Sequence, residues 1–402
     1  MINFDVVNDV PTTNKTVFLL TDLDVPIDDF GRIISDEKIQ RAMPTINYLV
    51  KTGARVVIAT HLGYPVNELE TRLSTKPIAN YLDKRLHCDV NFCPTCIGEQ
   101  AKRDIFRTGY GDVIVLENLL FYQGEKSCDI NFARQLADGM NVYVNDAFGF
   151  SNCSYASVLG VPLFIRATGG LVLENEVRQL DVILDNSKYF TTAIIGGRMN
   201  NKIDLIYHLM ERARCIVVGG VIANNFLKAL GYNIGKSQFE PKCVDEIKKI
   251  FDRATKNNCL ISFPTDVVVV KDVIENDVIT KNIDDVEDDD IIIDIGNESV
   301  NNIIGLLELS KCVFCYGNVG IGEFAINGGA TRVIFEKITE LTRKKRLFSV
   351  ASGKDTVVAL REMGDVNGLS FTSFNPDATL QYMSGKVLPG LEVLKRLSKQ
   401  TC

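Results

Sequence analysis

Short polar segments recur in the sequence directly after runs of apolar residues. In the first half of the chain they are Asp22-Leu-Asp-Val-Pro26, His61-Leu-Gly-Tyr-Pro65, Glu117-Asn-Leu-Leu-Phe121 and Asn145-Asp-Ala-Phe-Gly149. Carboxylate, amide and imidazole groups can orient an ionised substrate through hydrogen bonds. These segments therefore supply the first group of candidate binding residues.

The second half repeats the arrangement with more glycine. Its segments are Gly196-Gly-Arg-Met-Asn-Asn-Lys202, Gly219-Gly220, Pro264-Thr-Asp266, Gly317-Asn-Val-Gly320 and Gly353-Lys-Asp-Thr356. Glycine lets backbone N–H groups approach phosphate oxygens, and the amino end of a following helix adds positive potential. This half is predicted to bind a phosphate-bearing ligand.

The apolar runs before these segments predict buried β-strands. They are rich in Val and Ile, mostly do not alternate with polar residues, and are separated by amphipathic helical stretches. The predicted strands are 16–20, 54–60, 112–116, 141–144, 193–197, 215–219, 259–263, 267–270, 291–295, 312–316 and 348–351. This alternation predicts an α/β fold with mainly parallel sheets. Ligands bind outside the carboxyl ends of such strands, so the segments of each half should share one edge.

Length and composition narrow the class of protein. A chain of 402 residues suits two domains, and 46% hydrophobic with 24% charged residues is typical of a globular protein. The net charge of −7 argues against a general nucleic-acid binder. We expect no signal peptide and no membrane span. Several of the 11 cysteines lie in apolar runs, which indicates a reducing, cytoplasmic environment.

A glycine pair marks the predicted domain boundary. Ala167-Thr-Gly-Gly170 precedes a stretch with apolar residues at 173, 177, 180 and 184, which predicts a helix. We expect residues 1–170 to form one domain, 171–190 a hinge helix and 191–385 a second domain.

Several motifs, in order along roughly 370 residues, resemble those of phosphoglycerate kinases. They are Pro44-Thr-Ile46, Val144-Asn-Asp-Ala-Phe-Gly149, Phe226-Leu-Lys-Ala229, Gly235-Lys-Ser237, Asp266-Val-Val-Val, Asp294-Ile-Gly296, Asp355-Thr356, Gly385-Lys and Leu388-Pro-Gly390. The resemblance implies two Rossmann-like domains around a deep cleft, with the phosphoglycerate side first, the nucleotide side second, and a tail, residues 386–402, that packs back on the first domain. It also implies a monomer that transfers a phosphoryl group between 1,3-bisphosphoglycerate and ADP with Mg²⁺.

The resemblance assigns acid-binding roles that this chain fulfils only in part. The implied substrate-binding residues are Asp22, Asp24, His61 and Asn145, with Lys38 as a catalytic cation in place of an arginine. The family binds its acid with a histidine and a patch of arginines, which suits a doubly charged substrate. The positions that match the other arginines are Leu20, Tyr64, Leu120 and Cys153. Asp24 replaces an asparagine.

The nucleotide side keeps more of the family pattern. The implied nucleotide-binding residues are Gly196, Gly197, Arg198, Lys202, Glu323, Gly353, Asp355 and Thr356, with Lys202 also catalytic and Asp355 near magnesium held through the nucleotide phosphates. Where the family has a later triple glycine, this chain has Asn375-Pro376-Asp377. Pro376 has no N–H to donate, and Asp377 repels a phosphate.

These residues leave two hypotheses for the function, one an enzyme and the other a binding protein. One is a phosphoglycerate kinase with impaired transfer; the other is an inactive family member that acts as a nucleotide-binding or interaction protein. The residues favour the second slightly. We expect an adenine nucleotide to bind and 3-phosphoglycerate to bind poorly, with no nucleic-acid or membrane partner. The sequence leaves open whether another acid is accepted, which protein partner it has, and whether the host carries an intact second copy.

Overall fold

The computed structural model describes residues 3–65, 70–185, 189–271, 278–321 and 329–399. The chain divides into two compact units. The first comprises Met1–Arg178 and Val387–Cys402, and the second comprises Gln179–Lys386. Each contains a six-stranded parallel sheet, which confirms the predicted α/β class with mainly parallel sheets.

The sheet of the first unit is buried on both faces by helices. Its strands are β1 (Thr16–Thr21), β2 (Arg55–Ala59), β3 (Val90–Cys93), β4 (Val113–Leu116), β5 (Val142–Asp146) and β6 (Arg166–Gly169). They lie in the order β3-β4-β2-β1-β5-β6. Because β1, β4 and β5 are buried at every position, polar residues can reach solvent only beyond the strand ends. That places the candidate residues in the loops.

The helices of the first unit connect these strands. They are α1 (Glu37–Lys51), α2 (Lys76–Asp83), α3 (Gly98–Arg107), α4 (Gln123–Lys126), α5 (Ile130–Ala137) and a π-helix, Ala156–Gly160. Helix α6 (Leu171–Asp185) crosses the division between the units. The last helix of the chain, α14 (Pro389–Ser398), packs against β6 and the π-helix, and Gly390 N donates to Ser151 O at 2.8 Å.

The second unit contains two sheets. Strands β7 (Thr191–Ile195), β8 (Cys215–Val218), β9 (Leu260–Ser262), β13 (Cys312–Tyr316), β14 (Phe348–Ser352) and β15 (Phe371–Thr372) form the parallel sheet, in the order β15-β14-β13-β7-β8-β9. Strands β10 (Asp266–Val270), β11 (Ile279–Asn282) and β12 (Ile291–Ile295) form a small antiparallel sheet. The strand pattern did not predict this second sheet.

Helices cover both sheets of the second unit. They are α7 (Ile203–Met210), α8 (Gly220–Ala229), α9 (Val244–Lys256), α10 (Asn297–Leu309), α11 (Ala330–Arg343), α12 (Lys354–Glu362) and α13 (Pro376–Met383). Helices α10 and α11 bury Ile303, Leu307 and Ile338 in one apolar core with β13 and β14. Among the described residues, no helix has the length and apolar character needed to cross a bilayer.

Candidate functional site

The second unit has an open cavity at the carboxyl ends of its central strands. The cavity has a volume of about 710 Å³ and lies beside the loops that follow β7, β13 and β14. Gly197, Tyr316 and Lys354 line it from these three places. The structure thus brings three of the predicted glycine-rich segments to one edge of the sheet.

Two glycines allow the loops to approach so closely. A Cβ atom on Gly196 would lie 1.9 Å from the backbone oxygen of Asn318, so no other residue fits there without displacing the loop. Gly353 has φ 107°, a conformation that glycine adopts without strain, and it directly precedes α12. The backbone therefore forms part of the cavity wall without intervening side chains.

Lys202 is the buried cation of this cavity. Its side chain is 8% exposed, its Nζ donates to Gly196 O at 2.5 Å, and it lies 5.4 Å from the centre of the Tyr316 ring. Burial lowers the pKa of Lys202 to about 8, although the carboxylates of Asp355 and Glu240 act in the opposite direction. An anion in the cavity would stabilise the protonated form further.

The remaining charges of the cavity are balanced. Arg198 and Lys354 add two exposed cations to Lys202, and the carboxylates of Glu240, Asp355 and Asp377 oppose them. Glu240 is fixed in place because its Oε2 accepts from Met199 N at 2.7 Å and from Asn225 Nδ2 at 3.3 Å. Arg198 and Lys354 remain available for a phosphate.

Asp355 and Thr356, both predicted to bind nucleotide, have different environments. Asp355 is exposed in the first turn of α12. Thr356 is fully buried, and its Oγ1 accepts from Gly317 N at 2.8 Å. Thr356 therefore joins two loops of the cavity wall, whereas Asp355 presents a carboxylate to the cavity.

Two residues of the segment Asn375-Pro376-Asp377, Pro376 and Asp377, also line the charged cavity. Pro376 begins α13, its backbone oxygen accepts from the Tyr316 hydroxyl at 3.1 Å, and Asp377 lies in the first turn. Burial, with the charges of Asp377 and Asp355, raises the pKa of Tyr316. No local sequence pattern identifies Tyr316 or Glu240 as site residues, because only the fold brings them to this edge.

A narrow apolar cavity adjoins the charged one, and Ile321 lines both. Its other walls include Ala223, Leu227 and Val319. Asp294 also faces this cavity, and burial raises its pKa to about 6. This cavity has a volume of about 10 Å³, room for about one water molecule, so of the two the charged cavity alone can hold a larger ligand.

The polar residues of the first unit are bonded to one another. Lys38 Nζ lies 3.0 and 2.9 Å from the two carboxylate oxygens of Asp22, which also accepts from Asp24 N at 3.1 Å. Asp24 in turn accepts from Gly63 N at 2.9 Å. The loops after β1 and β2 are thereby linked through Asp24.

His61 lies inside the first unit. Its side chain is 1% exposed, and its Nε2–H donates to Glu125 Oε1 at 2.7 Å. Glu125 is also fully buried and accepts from Ser157 N at 3.0 Å and Ser157 Oγ at 2.5 Å. The His61 ring packs on Phe150 and Tyr155. A ligand could reach His61 only after these contacts rearrange.

Asn145 is likewise internal. It is fully buried, and its Oδ1 accepts from Ala147 N at 3.0 Å. Its Nδ2 has no hydrogen-bond partner among the residues that the structure describes. Asp146 beside it accepts from Val172 N and Leu173 N, and burial raises its pKa to about 6. These two residues anchor the loop after β5.

The four positions that lack the implied arginines carry no positive charge. Leu20 and Leu120 are buried, Tyr64 is 90% exposed, and Cys153 is half-buried. Lys38, 30% exposed and paired with Asp22, is the one cation among the predicted acid-site residues. Glu323, predicted to bind nucleotide, lies outside the residues that the structure describes.

Comparison with known proteins assigns the family. The family model described as phosphoglycerate kinase matches residues 7–386. The chain belongs to the phosphoglycerate kinase family. It is 36% identical over 385 residues to the phosphoglycerate kinase of Wolbachia sp. subsp. Drosophila simulans (strain wRi), covering 95% of this chain and 96% of that one. It is 35% identical over 398 residues to that of Orientia tsutsugamushi (strain Boryong), covering 98% of both.

Solved structures agree with this assignment. The structure of phosphoglycerate kinase from Coxiella burnetii superposes with a TM-score of 0.90 at 30% identity, covering 98% of this chain and 99% of that one. The enzyme from Pyrococcus horikoshii OT3 superposes with a TM-score of 0.78 at 26% identity, covering 99% and 100%. The resemblance read from the motifs is confirmed.

The donor set of the charged cavity fits a magnesium nucleotide. Lys202, Arg198 and Lys354 can face phosphate oxygens, and the exposed Asp355 carboxylate is the kind of oxygen ligand that Mg²⁺ accepts, directly or through water. Bound magnesium would neutralise phosphate charge. The cations and Asp355 would set the position of the phosphates.

Proposed function

We propose that this protein binds MgADP or MgATP in the second unit and catalyses phosphoryl transfer with 3-phosphoglycerate far more slowly than an ordinary family member. One observation carries the proposal. Lys202 faces an open cavity together with Arg198 and Lys354, whereas Lys38 is paired with Asp22 and His61 is buried against Glu125.

The nucleotide assignment rests on the charged cavity, which suits phosphates because it lies beside the glycine loops after β7 and β14. In this arrangement Lys202 would stabilise the charge of a transferring phosphoryl group, and the Asp355 carboxylate would hold magnesium directly or through water. Phosphoryl transfer depends mainly on such positioning and electrostatic stabilisation.

We expect slow phosphoryl transfer because most of the acid-binding arginines that the family resemblance implies are absent from the first unit. A hydrogen bond to a charged group contributes about 1.5–3 kcal/mol. Leu20, Tyr64, Leu120 and Cys153 stand where the family resemblance implies arginines, so roughly 6–12 kcal/mol of nominal binding energy is missing, and less if the four are not additive. Lys38 keeps one charge of the patch, which makes it the candidate catalytic cation on that side.

A second candidate is a non-catalytic binding protein that retains the nucleotide site. The start of α13 favours it, because Pro376 offers no N–H and the Asp377 carboxylate lines the charged cavity. A transferring phosphoryl group would meet a negative charge there instead of backbone donors. A monomeric state and a cytoplasmic location remain predictions.

A coupled assay and a binding measurement on the pure protein test the proposal. We expect turnover of 3-phosphoglycerate to be at least about 10⁴-fold below an ordinary family member assayed alongside, and isothermal titration to detect MgADP. Turnover on the order of 10–10³ per second would contradict impairment. Turnover below the detection limit with retained MgADP binding would select the non-catalytic candidate. Loss of both would contradict the nucleotide assignment.

A further inference from the structure

The first unit has a cavity at the opposite edge of its sheet from the loops described above. It is about 360 Å³ in volume and is lined by Arg55, Arg103, Phe106, Lys102 and Asp138 among others. Arg55 is the first residue of β2, so this is the amino-terminal edge of the sheet. We call it the basal cavity. Its volume falls within the range of small-molecule sites, about 300–1,000 Å³.

Arg55 forms a rigid wall of the basal cavity. Its Nε donates to Thr108 O at 2.7 Å and an Nη to Thr16 Oγ1 at 3.3 Å. Its guanidinium carbon lies 4.6 Å from the Tyr110 ring centre and 5.8 Å from that of Phe106. These contacts hold the guanidinium group in one orientation before any ligand arrives, which lowers the entropic cost of binding.

Both rings remain largely open to solvent. Phe106 is 77% exposed and Tyr110 is 53% exposed. Stacking on Arg55 therefore covers only part of each ring, and the remaining apolar surface of Phe106 faces the cavity. Two exposed aromatic rings around one arginine offer a surface on which a flat apolar group can stack.

The basal cavity carries uncompensated positive charge. Lys102 is neutralised by Asp138 at 2.8 Å and Glu99 at 3.4 Å. Arg55 and Arg103 form no ion pair with any residue in the described part of the chain. Neither guanidinium group is neutralised by a carboxylate of the described residues, although the net charge of the chain is −7. Guanidinium groups favour carboxylate, sulfonate or phosphate oxygens.

We infer that the basal cavity binds a small aromatic anion, a molecule with a flat apolar ring system and one carboxylate, sulfonate or phosphate group. The ring stacks on Phe106, and the anionic group lies beside Arg103 and the Arg55 guanidinium. This site is separate from the nucleotide cavity, which belongs to the second unit, and it does not rest on the proposed function.

Isothermal titration with 2-naphthoate, in the presence of saturating MgADP, tests the inference. We expect a Kd below about 1 mM and binding at least about tenfold weaker for the uncharged analogue 2-naphthylmethanol, because the analogue loses the charge-assisted contacts. Arg103→Gln and Phe106→Ala should each weaken 2-naphthoate binding about fivefold or more.

Matched variants control for nonspecific effects. Arg107→Gln changes an exposed arginine of the same helix that does not line the cavity, and Phe30→Ala changes an exposed phenylalanine in another loop; both should bind as the unmodified protein does. Melting curves confirm that each variant is folded. Absence of 2-naphthoate binding at about 10 mM would overturn the inference. Equal binding of 2-naphthoate and the uncharged analogue would also overturn it. So would 2-naphthoate binding that is weakened by Lys202→Ala but not by Arg103→Gln.

Discussion

Charged side chains at the candidate sites have different environments in the two units: those of the first unit bond to one another, and those of the second face an open cavity. In the first unit, Lys38 and Asp22 form an ion pair with each other. The buried Glu125 carboxylate accepts hydrogen bonds from His61 and Ser157. In the second unit, Lys202 is buried but faces an open cavity, where its pKa is lowered to about 8. A buried cation without a direct carboxylate partner is costly to the free protein, and an anionic ligand relieves that cost.

The difference shows that residue identity alone does not define a binding site. His61 and Lys202 both stand where the family resemblance places functional residues. His61 has a buried carboxylate partner in the protein, so it contributes to stability in this arrangement. Lys202 donates only to a backbone oxygen, Gly196 O, among the described residues, so its charge remains available to a ligand.

The largest effect is expected for Glu125→Ala, which breaks the internal network of the first unit. The variant leaves the Ser157 N–H and the buried His61 ring without their acceptor. We expect a loss of about 3 kcal/mol or more in the free energy of unfolding, measured by urea denaturation. Glu99→Ala, an exposed control in the same unit, should cost under about 0.5 kcal/mol. Equal losses of unfolding free energy for the two variants would show that the buried network contributes no more stability than an exposed carboxylate does.

Many strands of both units were predictable from the sequence, but the partners in this network were not. The predicted strand 312–316 matches β13 residue for residue, and 16–20 differs from β1 only at Thr21. Uninterrupted runs of Val, Ile and Leu are a local signal. The contact between His61 and Glu125 joins residues 64 positions apart, so no local pattern could reveal it.

Strands with few buried residues or with a glycine escaped prediction. β3 has four residues and only one is buried, and β6 ends in Thr-Gly, which indicated a boundary instead of a strand. The antiparallel sheet was also missed, because apolar runs such as Val267–Val270 do not specify the direction of the neighbouring strand. The proposed hinge role of residues 171–190 remains a prediction.

Lys202→Ala should give the next largest effect, and it tests the second unit. If MgADP binds as proposed, a hundredfold excess over Kd should stabilise the folded protein by about 2.7 kcal/mol and raise the melting temperature by several degrees. We expect Lys202→Ala to remove most of this shift. Lys228→Ala changes an exposed lysine of the same unit and should retain it. A full shift in Lys202→Ala would mean that the cavity binds nucleotide without this cation.

The pH dependence of MgADP binding tests whether the charge of Lys202 contributes to binding. In the free protein Lys202 has a pKa of about 8, and nearby phosphates should raise it. Between these two pKa values the complex holds more protons than the free protein, so affinity should fall as the pH rises above about 8, by up to about tenfold per unit. The ADP phosphates are fully ionised there and add no slope. Titrations from pH 7 to 9.5 measure this, and Lys202→Met should flatten the profile. A steep profile in that variant would assign the proton to another group.

The smallest effect is expected for Lys38→Ala in the first unit. Its ion pair with Asp22 is partly exposed, with the lysine side chain 30% and the aspartate 14% exposed, so solvent screens it. The variant should lose under about 1 kcal/mol of unfolding free energy, and Asp22→Asn should lose a similar amount because it removes the same pair. The MgADP-dependent rise in melting temperature should remain, since Lys38 and the charged cavity belong to different units. 3-Phosphoglycerate at millimolar concentration should leave the melting temperature of both the unmodified protein and Lys38→Ala unchanged.

A rise in melting temperature with 3-phosphoglycerate that occurs in the unmodified protein but not in Lys38→Ala would show that Lys38 leaves Asp22 to bind the acid. In that case the first unit, like the second, would hold a cation available to a ligand.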